Sequence, residues 1–441
     1  MRSPFRSPLW RNDAFVRVWT AATISIFGSL VTRLALPFVA ILVLGAGPLE
    51  VAVLRGLDLG ATLVVGLVAG AWVDRLRRRP VLIWADLGRA VVLGSVPVAF
   101  VAGVLTFWQL LAVAFVAAVL TTFFESADNA YLPTIVERKQ LVGANSALAA
   151  SGSAAEFSAF GIAGFLVQAL GAPIAILVDA ATFLVSALLL GSIRRVEAPP
   201  PKHGDREPIL REVADGLRLV VRDPILRAFA GAQMAAAALF GVFGATWLLF
   251  TTQELGLGPS AIGLIAGVGG ASSFGGAIVA GRTARRWGIG RVACGAMVLV
   301  ALGNALIPLA PAGAPFIAAA FLIGQQLVSD SAMTVYDVTE TSVRQTLVHD
   351  RSLGRVAASF HVAAVLAQLV GTIAGGLFAE VAGLRAAAAI ASFGAVLGAA
   401  ILWWSPVRTL RTLPAAAAAP DTLGRAAEVV VEVGRDEPIG G

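Results

Sequence analysis

Four charged side chains interrupt long apolar segments in the first half of the sequence. They are Arg33, Asp58, Glu156 and Asp179. An ionised side chain costs at least about 3 kcal/mol at the centre of a bilayer, so each one needs a partner, water or a task. A carboxyl group held there can take up and release a proton. The residue types therefore predict proton-coupled chemistry, with Glu156 as the first candidate and Asp58 beside Arg33 as the second.

The same residues also fit a purely structural interpretation, in which Arg33 and Asp58 form an ion pair between two neighbouring apolar segments. Counting about 1.5 Å per residue from the outer segment ends places both at similar depth. Asp86 and Arg89 lie three residues apart, which puts both on one helix face and predicts a local ion pair. Proton coupling and structural pairing are therefore alternative interpretations of the first pair.

Neutral side chains replace these charges in the second half of the sequence. When the sequence is aligned with itself at an offset of 211 residues, the four charged positions meet Gly244, Gly269, Ala367 and Ile390. Amides occur there instead, and the candidates for substrate contacts are Gln233, Gln325 and Gln368. We therefore expect a cavity between two halves, with titratable groups on one wall and amides on the other.

Twelve apolar segments, each long enough to cross a bilayer as a helix, carry these residues. Apolar residues make up 58% of the sequence, charged residues 14%, and the mean hydropathy is +0.83, so a membrane is the expected solvent. The segments are apolar on all faces, which excludes the alternating pattern of barrel strands. The predicted spans are residues 18–42, 50–72, 80–101, 105–127, 144–168, 173–193, 226–250, 260–281, 290–310, 314–337, 355–379 and 384–404.

An internal repeat relates the two halves of the sequence. The offset of 211 residues aligns Gly47-Pro48 with Gly258-Pro259 and Arg75 with Arg286, without a gap. A single ungapped offset that preserves turn prolines and loop arginines indicates a duplication with both halves in the same orientation. The sequence therefore predicts an all-α integral membrane protein built from two six-helix bundles, residues 18–193 and 226–405.

Basic residues mark one face of the membrane. Nearly all of the 33 Lys and Arg residues lie at the N-terminus, in alternate loops or after the last span. By the positive-inside rule these regions are cytoplasmic, including the N-terminus (residues 1–17) and an Ala- and Pro-rich tail (residues 406–441) that is expected to be disordered. The linker, residues 194–225, has apolar residues at helical spacing and predicts an amphipathic surface helix. Topology thus explains the net charge of +6 without a nucleic-acid partner.

The loop after the second predicted span resembles a signature of the major facilitator superfamily. It reads Gly70-Ala-Trp-Val-Asp74-Arg75-Leu-Arg77-Arg78-Arg79. The resemblance implies a major facilitator fold and a cytoplasmic gate formed by Gly70, Asp74, Arg75, Arg78 and Arg79. In the family the Asp is thought to face the N-terminal end of the eleventh helix, whose free amides attract a carboxylate. The alternative is that the arginines only anchor the topology.

Further segments resemble the exporter branch of that superfamily, which includes bacterial macrolide efflux and enterobactin export proteins. They are residues 28–37, 123–147, 178–183 and 335–355, within a resemblance that covers roughly residues 12–405. The resemblance implies a secondary active transporter that exports an amphipathic small molecule, such as a drug, siderophore or secondary metabolite, by alternating access. In place of the Gly-Pro signature of many drug antiporters, residues 159–164 read Ala-Phe-Gly-Ile-Ala-Gly.

Motifs for nucleotide, metal or catalytic chemistry do not occur in the sequence. It lacks a Gly-x-x-x-x-Gly-Lys-Ser/Thr loop, and its lysines are Lys139 and Lys202. Cys294 is the single cysteine, and His-Glu-x-x-His and Gly-x-Ser-x-Gly are absent. We therefore expect no enzymatic activity, no cofactor and no metal. The expected energy source is a proton gradient, worth about 2.3 kcal/mol per charge per 100 mV.

Two other functions stay open from the residues alone, namely a permease for nutrient or metabolite uptake and a non-transporting sensor or assembly factor. A sensor usually carries a folded soluble domain, for which the linker and tail leave no room. We expect a multi-pass protein of the bacterial inner membrane that acts as a monomer. Its expected partners are a small-molecule substrate, protons and the lipid bilayer.

Overall fold

The computed structural model describes residues 8–73, 75–194, 197 and 209–412, which form a bundle of long helices. The first half contains α1 (Asp13–Val43), α2 (Pro48–Val73), α3 (Arg78–Val101), α4 (Phe107–Ile135), α5 (Leu141–Leu170) and α6 (Ala172–Gly191). A linker helix, α7 (Ile209–Arg222), follows. The second half contains α8 (Pro224–Glu254), α9 (Pro259–Trp287), α10 (Ile289–Leu309), α11 (Pro315–Leu347), α12 (Asp350–Ala382) and α13 (Leu384–Trp403).

The described helices confirm the predicted all-α membrane fold. By length and composition, 11 of them can cross a membrane, and α2, with 26 residues, occupies the remaining predicted span. At about 1.5 Å per residue α2 is about 39 Å long, which exceeds a hydrocarbon layer of about 30 Å. Several helices are longer than predicted. For example, α11 continues to Leu347 through polar residues that hydropathy assigned to a loop.

The internal repeat is visible in the backbone where the first helix of each half ends. A π-helical turn closes α1 at Val39–Val43, and another closes α8 at Phe250–Glu254, at the offset of 211 residues found in the sequence. Gly45 and Gly256 follow these turns with φ of +68° and +67°. Side chains other than glycine rarely adopt this left-handed conformation, so both halves depend on the same turn.

Successive helices alternate in direction, so their ends collect on two sides of the bundle. We call the side where α1 begins and α13 ends the terminal side, and the other the opposite side. On the terminal side Asn12 caps α1 by accepting the N–H groups of Ala14 at 3.2 Å and Phe15 at 3.4 Å. The Asn12 amide also donates to the carbonyl of Ile135 at 2.8 Å, which fixes the start of α1 to the end of α4.

Buried apolar residues form one shared core on the opposite side and separate cores on the terminal side. The shared core joins residues of both halves, such as Phe38 of α1 and Phe250 of α8. On the terminal side, Phe15 belongs to a core of first-half residues. Phe229 belongs to a core of second-half residues together with Val220 of the linker helix. The two halves are therefore joined at one side of the membrane and separate at the other.

Glycines bring α5 and α9 into close contact on the opposite side. Gly164 of α5 lies against the carbonyl of Pro259, and Gly263 of α9 lies against the carbonyl of Phe160. The N–H of Ser260 donates to the Gln168 side chain at 3.0 Å. Any side chain at either glycine would overlap the backbone of the other helix, so these small residues permit the contact.

A second contact between the halves joins α2 to α12, also on the opposite side. Gly376 of α12 lies against Ala52 of α2. The N–H of Leu49 donates to the carboxylate of Glu380 at 3.2 Å. Two helix pairs therefore close the opposite side, one on each flank of the space between the halves.

Part of the segment expected to be disordered is ordered. Pro406–Thr409 form a 3-10 turn, Val407 has 0% of its surface exposed, and the N–H of Gly290 donates to the carbonyl of Leu410 at 2.8 Å. The disorder prediction is wrong for residues 406–412 because Val407 completes the second-half core. Residues 413–441 of the predicted tail lie outside the described residues.

Candidate functional site

Charged side chains of α1 and α2 lie at bilayer depth where the halves meet. Arg55 donates to the carboxylate of Asp58 at 2.9 Å, and the two side chains are 31% and 42% exposed. Arg33 is exposed, its charge interacts with that of Arg55, and Arg55 lies beside Gly244 of the second half. The predicted pair of Arg33 with Asp58 is wrong, because Asp58 binds the arginine one turn earlier on its own helix.

Glu125 of α4 joins this group of charges. It is exposed, and it lies close enough to Arg33 and Asp58 to interact with them electrostatically. Exposed charges at bilayer depth require water rather than lipid around them. These exposed side chains therefore lie together where the halves meet, in the space that we call the central cavity.

The second half contributes carboxyl groups to the bundle as well as amides. On α11, Asp330 is half-buried and Asp337 is exposed. Gln326 and Asp330 both pack against Gly269 of α9, and the Gln326 amide donates to the carbonyl of Ile265 at 3.3 Å. Asp330 therefore packs within the second half, and the expected division into a titratable wall and an amide wall stays a prediction.

Asp179 of α6 lies in the interior of the first half. None of its surface is exposed, and it accepts a hydrogen bond from the Thr182 hydroxyl at 3.1 Å. Gly28 of α1 packs directly on this pair, so that a Cβ there would overlap both side chains. Asp179 is therefore enclosed between α1 and α6, and the absence of a side chain at Gly28 makes the room for it.

The predicted ion pair of Asp86 with Arg89 is confirmed, and it is buried. Asp86 is 0% exposed and Arg89 is 2% exposed. The guanidinium lies 4.4 Å from the ring centroid of Phe124 on α4 and 4.0 Å from that of Phe183 on α6. The guanidinium lies over the faces of both rings, and these cation–π contacts join α3 to α4 and α6.

The arginines at the start of α3 contact the end of α6 and the segment that follows it. The Glu197 carboxylate accepts the backbone N–H of Arg78 at 2.8 Å and that of Arg79 at 3.1 Å, at the start of α3. The Arg79 side chain donates to the carbonyl of Leu190 at 2.9 Å, at the end of α6. A carboxylate is stabilised at a helix N-terminus, so this contact locks α3 to the segment after α6.

The other residues of the predicted gate are placed less fully. Arg75 is exposed and Gly70 lies in α2, while Asp74 lies outside the described residues. Glu156 belongs to α5, and its side chain also lies outside the described part of the chain. The gate and the first proton-coupling candidate therefore stay predictions.

The three glutamines predicted to contact substrate have different surroundings. Gln233 and Gln368 are half-buried on α8 and α12. Gln325 is only 6% exposed, and its amide donates to the Asn304 side chain at 3.3 Å. The structure therefore places Gln325 in the interior of the second half, because Asn304 on α10 supplies a polar partner there.

The sequence model of the Major Facilitator Superfamily matches residues 18–343, which is most of the chain. The chain belongs to the major facilitator superfamily. Its fold of two six-helix repeats is that of a membrane transporter of this superfamily, which is not a family of enzymes in general.

Two relatives extend the comparison to individual transporters. The uncharacterized MFS-type transporter YfiS of Bacillus subtilis (strain 168) is 25% identical over 394 residues, which cover 86% of this chain and 90% of YfiS. The multidrug efflux pump Tap of Mycolicibacterium fortuitum is 33% identical over 186 residues, which cover 40% of this chain and 45% of Tap. The chain is therefore similar to YfiS along nearly its whole length and to Tap along part of it.

Solved structures show the same fold. The nucleoside transporter NupG superimposes with a TM-score of 0.70 at 15% identity, covering 89% of this chain and 98% of NupG. A bacterial homologue of the iron transporter ferroportin in its inward-facing state gives a TM-score of 0.71 at 18% identity, covering 90% and 99%. The same homologue in its outward-facing state gives a TM-score of 0.56 at 19% identity, covering 88% of this chain and 98% of the homologue.

Sequence reasoning about this transporter missed the partners that organise its charges. Arg55 and Asp58 are three residues apart in the sequence, a spacing that places both on one helix face and predicts their ion pair. No local signal indicates that Glu197, far along the chain, caps α3. The same is true of Phe124 and Phe183 around Arg89, since the three side chains come from three helices.

Proposed function

We propose that this transporter is a proton-coupled exporter of amphipathic small molecules that works by alternating access. The observation that carries the proposal is the shared core on the opposite side beside separate cores on the terminal side. The two repeats are packed together at one side of the space between them and are apart at the other. This arrangement corresponds to one end state of an alternating-access carrier.

The positive-inside rule supports an orientation with the terminal side in the cytoplasm of a bacterial cell. Exposed arginines collect on the terminal side, among them Arg75, Arg77, Arg285 and Arg286. The state described is then inward-facing, which agrees with the higher TM-score to the inward-facing ferroportin homologue, 0.71 against 0.56. Substrate enters this state from the cytoplasm or the inner leaflet.

Export of amphipathic compounds is supported by the partial similarity to Tap, a multidrug efflux pump. Arg33, Asp58 and Glu125 supply charges of both signs to the central cavity, while Gln233 and Gln368 are half-buried amides on α8 and α12. A substrate with an apolar body and a polar group matches such a cavity. Proton coupling is supported by the carboxyl groups on Asp58, Glu156 and Asp179, since a proton gradient provides about 2.3 kcal/mol per charge per 100 mV.

Purified full-length protein in sealed proteoliposomes tests the proposal directly. A panel of drugs, dyes such as ethidium, and siderophores is presented with and without an imposed pH gradient. We expect at least one compound to accumulate against its own gradient, and a protonophore to abolish that accumulation. Movement only down the compound's gradient would overturn proton coupling. Increased cellular uptake in cells that produce the protein would indicate a permease, and no movement of any compound would indicate a non-transporting role.

A further inference from the structure

The buried Arg89 of α3 has more acidic neighbours than its single charge can neutralise. Asp86 on its own helix forms an ion pair with it, and Asp179 of α6 lies close enough to interact electrostatically. Both carboxyl groups are 0% exposed. In each of them the Oδ2 atom is enclosed without a hydrogen bond within 3.5 Å, as are the hydroxyl groups of Ser186 near Asp86 and Thr32 near Asp179.

Among the described residues, the other groups that face this site supply no second cation. From α4, Glu125 interacts with Arg89, and Asp128 interacts with Asp86. From α1 come Gly28 and Thr32, and Thr182 and Ser186 of α6 complete the site. Arg33 of α1 is exposed, and its charge interacts with those of Glu125 and Arg55 instead.

A buried carboxylate without a compensating cation is strongly unfavourable because it has lost its hydration. Arg89 compensates one carboxylate, and Asp86 holds that position in this state. A proton on one oxygen of Asp179 would make that carboxyl group neutral and remove the imbalance. Its Oδ1 accepts from the Thr182 hydroxyl, so the enclosed Oδ2 is the oxygen available for the proton.

We propose that Asp86, Arg89 and Asp179 form the proton-binding site of the transport cycle, in which the two carboxyl groups share one proton. A proton from water converts one carboxylate to a carboxylic acid, and Arg89 pairs with the carboxylate that stays ionised. Release of the proton to the other side reverses the step. The inference rests on the proposed function and assigns its coupling site to the interior of the first half, with Asp86 and Asp179 as the proton-binding groups and Arg89 as a positioning residue.

The contact of Asp179 with α1 connects this site to the central cavity. Gly28 packs on the Asp179 carboxyl group, and Thr32 lies beside it. Arg33, the next residue of α1, is exposed among the cavity charges. A change in the charge of Asp179 therefore alters the packing of α6 against the helix that carries a cavity residue.

Infrared spectroscopy of the full-length protein in lipid tests the site without any substrate. A protonated carboxylic acid has a carbonyl stretch that is distinct from that of a carboxylate and shifts in heavy water. We expect this band near neutral pH in the wild type, and its loss in Asp179→Asn. Asp86→Asn should also remove it, because Arg89 then pairs with an ionised Asp179. The surface variant Asp215→Asn should keep the band.

The band outcomes and a transport assay separate this inference from the proposed function. An unchanged band in Asp179→Asn, or one that persists in Asp86→Asn, overturns the shared proton. In proteoliposomes, Asp179→Asn should lose accumulation driven by the pH gradient by at least tenfold while exchange of the same compound continues. Wild-type transport with intact coupling in Asp179→Asn overturns the site but not the exporter. A band that behaves as expected in a protein that moves no compound overturns the exporter instead.

Discussion

The guanidinium of Arg55 binds the carboxylate of Asp58 at 2.9 Å, one turn along α2 and beside the exposed Arg33. The two paired side chains are 31% and 42% exposed, so water screens their attraction. Exposed ion pairs contribute about 0.2–1 kcal/mol to stability. We therefore expect Asp58→Asn to lower the free energy of unfolding by less than about 1 kcal/mol, as measured by thermal unfolding in detergent.

The same substitution should have a larger effect on transport. Without the Asp58 carboxylate, Arg33 and Arg55 leave the central cavity with uncompensated positive charge. The double variant Arg55→Gln with Asp58→Asn restores the net charge and should recover part of the transport rate in proteoliposomes. A double variant slower than Asp58→Asn alone would show that the arginine itself, rather than the charge balance, is required.

Removal of the Glu197 carboxylate should destabilise the terminal side of the first half. The side chain is 4% exposed, accepts the first N–H groups of α3 and lies 3.5 Å from the Arg78 guanidinium. Loss of a capping side chain costs about 0.5–2 kcal/mol, so Glu197→Ala should lower the unfolding temperature measurably. The matched control is Asp215→Ala, whose side chain forms a surface ion pair with Arg218 inside the linker helix α7. Equal unfolding temperatures for the two variants would contradict the capping role.

The fold of this protein was predictable because its signals are local or periodic. Length and apolarity place the helices, and the single offset of 211 residues fixes the duplication that Val39–Val43 and Phe250–Glu254 display in the backbone. Helix ends were less predictable. The apolar span predicted from hydropathy ends at residue 337, whereas α11 continues to Leu347. A helix does not need an apolar surface beyond the hydrocarbon layer.

The site was predictable only in part, because its contacts join residues from distant helices. The spacing of Asp86 and Arg89 predicted their ion pair, which lies on a single helix. The contact of Asp179 with Gly28 was not predictable, since it depends on how α6 packs on α1. Depth counting also failed for Arg33 and Asp58, because equal depth on two helices says nothing about which way each side chain points.

The packing of the linker helix on α12 gives a further prediction. Gly216 of α7 lies against the Arg355 carbonyl, and the Ser359 hydroxyl donates to the Val213 carbonyl at 2.9 Å. Overpacking such a contact costs about 1–3 kcal/mol, so Gly216→Val should detach α7 and speed its cleavage by protease. Ala214→Val, on the exposed face of the same helix, should leave the cleavage rate unchanged. Equal rates of protease cleavage in the two variants would rule out the packing of α7 on α12.

The glycine contact between α5 and α9 should control closure of the opposite side. A side chain at Gly164 would overlap the carbonyl of Pro259, so Gly164→Val should hold the two halves apart there. A thiol placed by Ser260→Cys should then react faster with an impermeant maleimide added from the opposite side, and the buried Cys294 adds little background.

Gly152→Val is the matched control for this closure, since a Cβ at Gly152 of the same helix meets nothing within 4 Å. It should leave the labelling of Ser260→Cys at the wild-type rate and should keep transport intact. Because alternating access requires the opposite side to close in each cycle, Gly164→Val should also lose transport while remaining folded in the membrane. If Gly164→Val lost transport while Ser260→Cys still reacted slowly, the valine would act by unfolding α5 rather than by separating α5 from α9.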